Sequence, residues 1–191
     1  MANNLRIYLD EDTWLMLQVG KGNAQAFEKI YRKYFPVVTS YFASLNGHLT
    51  SPEDLTQEVF VRIWRRRAEY RPNATVKTYL FSYAQNVLRE KKSIVFREAR
   101  LNVSNFSNLT SKLLQTDAVI QNDDIVNSLK KLIARLPYKQ RQAFELVYIS
   151  GFSTAAAARI LQVSPQSVYN NLYRARKQLR KLWAVSKQEI L

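Results

Sequence analysis

The sequence predicts an all-α protein made of two small helical domains joined by a flexible linker. Three observations carry that prediction. Glycine and proline are scarce, with four and five in 191 residues, which suits long helices. Apolar residues recur at helical spacing on both sides of residues 101–111, with no strand-like alternation of any length. The stretch between, LNVSNFSNLTS, is rich in Asn, Ser and Thr and has no period. The expected boundaries are a first domain over 1–97, a linker over 98–124 and a second domain over 125–191.

The elements follow in order. Residues 12–45 place Phe27, Ile30, Tyr31 and Tyr34 on one stripe. Pro36 is expected either to kink this segment or to divide it in two. NGHLTSPED reads as a turn and a helix start, with Ser51 as N-cap, Pro52 at N1 and Asp54 at N3. That helix is expected to reach about Ala68. YRPNAT is a second break, after which Thr75 caps a helix running to about Lys92 or a little beyond. Residues 112–124 leave a short helix open. The second block starts near Ile125, with Leu129, Leu132, Ile133 and Leu136 as its stripe, and Pro137 ends it. YKQRQAFELVYISG is a further helix closed by Gly151.

STAAAARILQVSPQSVYNNLYRARKQLRKLW then gives a helix, a short turn and a longer helix. Ser153 and Ser164 are the two N-caps, and Pro165 sits at N1. Ala158 is small where two helices must cross, and Leu161, Val163, Val168 and Leu172 have the spacing of a shared core. This is a helix-turn-helix pattern, whose second helix enters the major groove. Gln162 stands at the turn position where φ is positive and glycine is usual.

Composition narrows the chemistry. There is no cysteine, which excludes disulfides and thiolate metal sites and fits a reducing cytoplasm. The single histidine, His48, lies in a polar loop and reads as a plain loop residue. Metal-ligand sets and nucleophile–histidine pairs are correspondingly few, and no cofactor is expected. No apolar run approaches the roughly 20 residues of a membrane helix, and no signal-peptide core opens the chain, so a cytoplasmic location is expected. The formal charge of +14 is unevenly placed. Residues 1–60 are net −2, residues 61–100 net +8, and residues 151–191 net +6. Two basic blocks are what two contacts with a polyanion need.

The segment DLTQEVFVRIW is an exception to that charge. At roughly 100° per residue, Leu55, Val59, Phe60 and Ile63 form one side of a helix. Asp54, Gln57, Glu58, Val61 and Arg65 form the other. Glu53 and Asp54 suit the first turn, where the helix dipole favours acids, and Glu58 can pair with Arg62. Neither accounts for Val61, an aliphatic ringed by polar groups, which reads as a protein-docking surface. A metal pair lacks further ligands nearby in sequence.

The helix after YRPNAT has a core stripe of Val76, Leu80, Tyr83, Ala84 and Val87. Thr78, Ser82, Gln85, Asn86, Arg89 and Lys92 face the other way. Tyr70 and Tyr79 flank the break beside Arg71, Asn73 and Lys77, the mix of π surface and positive charge that unstacked bases need. On the last helix, Gln166, Ser167, Tyr169, Asn170 and Arg174 project from the core stripe and suit base edges. Arg176, Lys177, Arg180 and Lys181 suit phosphates.

Together these segments resemble the extracytoplasmic-function class of bacterial RNA polymerase sigma factors. DLTQEVFVRIW is similar to the class's core-binding segment, YRPNATVKTYLFSYAQNVLREKK to its −10 regions, and LPYKQRQAFELVYISGFS with the helix-turn-helix to its region 4. The resemblance implies a non-catalytic initiation subunit that recognises the −10 and −35 promoter elements, with no small-molecule substrate. It implies that Asp54, Leu55, Gln57, Glu58, Val61 and Arg65 serve the clamp helices of the polymerase largest subunit. Tyr70 and Asn86 would hold a flipped base of the −10 element, with Arg71, Asn73 and Tyr79 beside them and Lys77, Arg89 and Lys92 along the strand phosphates. Gln166, Ser167, Tyr169, Asn170, Arg174, Arg176 and Lys177 would serve the −35 element. Leu136, Phe144 and Val147 would form the region 4 core beside the surface for the polymerase flap. The class is commonly held inactive by an anti-sigma protein, often membrane-bound.

Three departures stand out. Alanines fill STAAAARIL where the class has an aromatic and acids, Tyr79 replaces a tryptophan, and Tyr169–Asn170–Asn171 replaces a more basic pattern. Two rivals remain: a stand-alone helix-turn-helix regulator, and a nucleic-acid enzyme using Asp54 and Glu58.

Overall fold

A computed structural model describes residues 10–45, 50–101 and 124–188, some helix ends by their backbone alone. His48 lies outside the described residues, as does most of the expected linker. Four helices form the first module: α1 (Glu11–Gly20), α2 (Ala24–Leu45), α3 (Pro52–Arg65) and α4 (Val76–Leu101). A 3-10 turn, Arg67–Glu69, joins α3 to the break before α4. The second module comprises α5 (Asp124–Ala134), α6 (Tyr138–Phe144, continued by a π-helical turn over Glu145–Ile149), α7 (Thr154–Leu161) and α8 (Pro165–Gln188).

Short polar side chains start six of these helices. Asp10 accepts from the Thr13 N–H at 2.7 Å, and Asn23 from Ala26 at 3.0 Å. Ser51, Thr75, Ser153 and Ser164 cap α3, α4, α7 and α8 in the same way. Each satisfies a donor that the helix leaves orphaned and stabilises its start by about 1 kcal/mol. Gly22 turns the chain between α1 and α2 at φ 89°, where a side chain would be strained. Pro36 does not divide α2, which stays continuous over 22 residues. Ile30 and Tyr34 before it and Val38, Tyr41 and Phe42 after it are buried on one side, so packing holds both halves in line.

The core of the first module is the expected one on α3: Leu55, Val59, Phe60 and Ile63 are all buried. An aromatic cluster of Phe27, Tyr31, Phe35, Phe60 and Trp64 joins α2 to α3, the Tyr31 and Phe60 centroids 4.8 Å apart. Phe60, the one fully buried ring of the five, contributes roughly 1.5–3 kcal/mol by leaving water.

The helix-turn-helix is formed by α7 and α8, with Ala158, Ile160, Val168 and Leu172 buried between them. Gln162 ends α7 at φ 57°, ψ 47°, a left-handed conformation that costs a non-glycine residue about 1 kcal/mol. Two expected core residues lie elsewhere. Val163 is 43% exposed, because the left-handed turn at Gln162 redirects the chain before α8 begins. Leu129 is 41% exposed: α5 packs mainly on α8, which covers only the narrower stripe of Leu132, Ile133 and Leu136.

The two modules touch. α4 packs on α7 and α2 on α6. Phe81, on the side of α4 expected to face outward, is fully buried, its ring 4.8 Å from that of Phe152 in edge-to-face contact. Thr78 and Gln85 are buried on the same side. The outward expectation thus fails for these two residues. A helix's own period cannot tell solvent from a distant part of the chain.

Candidate functional site

On α3, the residues opposite the core are presented in a row. Asp54, Gln57 and Arg65 are exposed, and Val61 is 47% exposed at the centre. Leu55 is fully buried beneath them, so it supports this face and does not reach a partner. Glu58 differs from its neighbours. One carboxylate oxygen accepts from the Arg62 guanidinium and the other lies 3.1 Å from Lys91 Nζ. Arg62 also pairs with Glu90 at 2.7 Å, so a four-charge network ties α3 to α4. Burial opposes ionisation of Glu58, but Lys91 and Arg62 outweigh it and hold its carboxyl below the usual range. Nothing local in the sequence marks Lys91 and Glu90, because their partners lie on another helix.

The basic side of α4 is occupied. Lys77 donates to the Ser150 carbonyl and lies over the Phe152 ring, 4.9 Å from its centroid. Arg89 donates to Gln162 Oε1 at 2.8 Å. The Lys92 ammonium sits over the Tyr138 ring, 3.1 Å from its centroid. Between them, Gln85 Oε1 accepts from the Tyr41 hydroxyl at 3.0 Å and from Gln142 Nε2 at 2.9 Å. Gln142 also donates to the Tyr138 hydroxyl, which completes a buried polar network across the two modules. Asn86 is half-buried beside it.

The tyrosines at the start of α4 form a group of their own. Tyr70 is 4% exposed, edge-on to Tyr79 with centroids 5.1 Å apart. Tyr79 in turn donates to the Tyr83 hydroxyl. Burial and that neighbour push the Tyr79 phenol well above its usual range, so it stays neutral. Arg71 and Asn73 are exposed next to them, Arg71 donating to the Ala68 and Tyr70 carbonyls. In this arrangement Tyr70 has little free ring face for a base, whereas Arg71 and Asn73 stand open.

The outer face of α8 has no acid anywhere along Pro165–Gln188. Gln166, Tyr169, Asn170, Arg174, Arg176 and Lys177 are exposed, and Ser167 is half-buried at the first turn. Gln166 donates to Asn170 Oδ1 at 3.1 Å, linking two amides suited to base edges. Tyr173, 56% exposed, belongs to the same face. It stands four residues after Tyr169 and seven after Gln166, a placement that helical period alone dictates. Among the described residues no group of His, Cys, Asp or Glu is placed to hold a metal ion, and no helix is long and apolar enough to cross a membrane.

Two family models match the chain in sequence order: Sigma-70 region 2 over residues 30–92 and Sigma-70, region 4 over residues 127–179. The extracytoplasmic-function sigma factor SigW of Bacillus subtilis is 27% identical over 173 residues, covering 86% of this chain and 92% of its own. In fold, the chain is similar to the sigma factor RpoE of Bartonella quintana, solved with the anti-sigma factor NepR, at a TM-score of 0.71 and 22% identity over 85% of this chain and 99% of that one. It is also similar to CnrH, solved with the cytosolic domain of CnrY, at a TM-score of 0.67 and 23% identity over 91% and 97%. An acid-and-aliphatic face on α3 and an acid-free basic α8, within two sigma-70 regions that take in more than half of the residues, mark the chain as belonging to the extracytoplasmic-function class of RNA polymerase sigma factors.

Proposed function

We propose that the chain is a dissociable initiation subunit that joins core RNA polymerase, recognises two promoter elements through its two modules, and holds an unpaired base so that melting proceeds. The observation that carries this reading is the division of surface chemistry within one chain. The exposed Asp54–Gln57–Val61 face suits a protein, and the acid-free face of α8 suits duplex DNA. In this reading the protein does no covalent chemistry and works in the cytoplasm, where the polymerase is.

The same reading extends to single residues. Asp54, Gln57, Val61 and Arg65 contact the clamp helices, with Leu55 holding their helix in place from below. Glu58 acts through Arg62 and Lys91, because both of its oxygens already have cationic partners. Gln166, Ser167, Tyr169, Asn170, Arg174 and Tyr173 read the −35 element, while Arg176 and Lys177 position the helix on phosphates. Asn86, with Arg71 and Asn73 open beside it, receives the −10 base, Tyr70 and Tyr79 back that pocket from beneath, and Lys77, Arg89 and Lys92 follow its strand. The working units are residues 1–97 and 125–191, with 98–124 as the tether. Two weak DNA contacts on one tethered chain gain effective concentration over either alone. An anti-sigma protein, of the kind the structural relatives were solved with, is the expected regulator.

Reconstitution decides the reading. The chain mixed with core polymerase should form a stoichiometric complex that starts transcription from linear promoters selected from a random DNA pool. A stand-alone helix-turn-helix regulator would bind DNA without the core enzyme. Failure to bind core polymerase sinks the proposal.

A further inference from the structure

The face of α4 assigned above to the unpaired strand is partly covered by the chain itself: Thr78, Phe81 and Gln85 are buried, Lys77 and Lys92 half-buried, and Arg89 exposed at the edge. Lys77, Arg89 and Lys92 each have a partner in the second module: the Ser150 carbonyl, the Gln162 amide and the Tyr138 ring. Phe81 against Phe152 and Gln85 against Gln142 fill the space between. The contact has an apolar centre, with Phe81 and Phe152 in a core shared by the two modules, and a polar rim. The amides, ammonium groups and guanidinium of that rim can be taken up by water when the modules part.

One residue in this contact is strained. Among the described residues, Gln162 alone has a positive φ without being a glycine. Glycine would relieve that strain, and it is the residue such a turn favours. An unfavourable conformation held in place calls for a reason. The Gln162 side chain supplies one: its Oε1 accepts the Arg89 guanidinium across the module boundary, which glycine cannot do.

We propose that Gln162 is a latch, whose amide holds Arg89 and the strand-facing side of α4 against the second module, so that the free chain engages its own strand-binding cations until DNA displaces that module. The proposal rests on the assignment of Lys77, Arg89 and Lys92 to the strand. Closure and the single strand then compete for the same three cations. The apparent affinity for a single strand is reduced by the fraction of chains that are open. A partner that bridges both modules in the closed form would reinforce the same state.

The test uses the full chain with Lys29→Cys and Ala155→Cys, one exposed position in each module of a chain that has no native cysteine. Energy transfer between dyes at these positions reports closure, and titration with a single-stranded oligonucleotide reports access. Gln162→Gly removes the amide and relieves the turn, whereas Gln162→Ala removes the amide and keeps the strain. Both should lower transfer and bind the oligonucleotide roughly two- to tenfold tighter than the parent. Gln162→Gly should also melt at a higher temperature than Gln162→Ala. Unchanged transfer in both variants overturns the latch. Lowered transfer with no gain in oligonucleotide affinity instead overturns the strand assignment of the three cations, and the competition with it.

Discussion

The helices α3 and α4 pack side by side, yet their outer faces are in opposite states. The outer face of α3 is open, with Asp54, Gln57 and Val61 in solvent and only Glu58 tied down. The outer face of α4 is closed, with Phe81 and Gln85 buried and its cations engaged by the second module. Both helices are amphipathic, so the difference comes from what each meets elsewhere in the chain. It teaches that neighbouring faces differ in readiness. On the assignments proposed above, docking on α3 requires no movement within the chain, whereas strand contact on α4 requires the second module to give up its hold.

The largest expected effect contrasts one residue from each face. Phe81→Ala should destabilise the chain by about 3–5 kcal/mol, because the ring is fully buried and the lost contacts include Phe152. Val61→Ala on α3 should change stability by less than about 0.5 kcal/mol, because its side chain already touches water. Denaturant midpoints of the two variants measure the contrast directly. Similar losses at the two sites would mean that α4 is no more covered than α3.

Much of this was legible in the sequence, and the parts that were not share a cause. The caps at Ser51, Thr75, Ser153 and Ser164 are local events, set by a side chain and an N–H three residues on. The left-handed turn at Gln162 is equally local. The core stripe of α3 follows from period alone. The burial of Phe81 and Gln85 does not, because it depends on a segment some 60 residues away that arrives only when the chain closes. The exposure of Leu129 has the same origin in reverse: an apolar residue in register whose covering helix reaches only one side of α5. The pairing of Glu58 with Arg62 was readable, whereas the contributions of Lys91 and Glu90 needed α4 beside α3.

That network changes how the open face should be tested. Reversing Glu58 would disrupt the contact between α3 and α4 as well as any docking, so a loss of binding would be ambiguous. Asp54→Lys with Val61→Asp alters only exposed positions. Polymerase affinity should fall about thirtyfold or more, since a reversed charge adds repulsion to the lost contact. Thermal stability should stay within a few degrees of the parent, and single-strand binding should be unaffected. Loss of strand binding along with polymerase binding would mean that the two faces do not act separately.

The smallest effect concerns Lys92 and the pH dependence of closure. Burial of its ammonium, and then the charge of Arg141 on α6, draw its pKa down to about 7 in the closed chain. The Tyr138 ring favours the charged form but is worth only about 0.5–2 kcal/mol, so burial prevails. When the modules part, Lys92 returns toward its ordinary value near 10.5. Between those two values the open chain binds more protons than the closed one. Closure therefore strengthens as pH rises from about 7 toward 10, and is weakest below 7. Arg89 lies one turn earlier on α4. The Tyr138 phenol is pushed upward by burial and stays neutral. Glu145 on α6, whose buried carboxyl is raised, pulls the other way, because closure favours its protonated form. Lys92→Met isolates the lysine from that acid. Energy transfer between the two labelled modules should rise from pH 7 to pH 9 in the parent, and the rise should be lost in the methionine variant. An equal rise in both would assign the pH dependence to another group and leave Lys92 as packing alone.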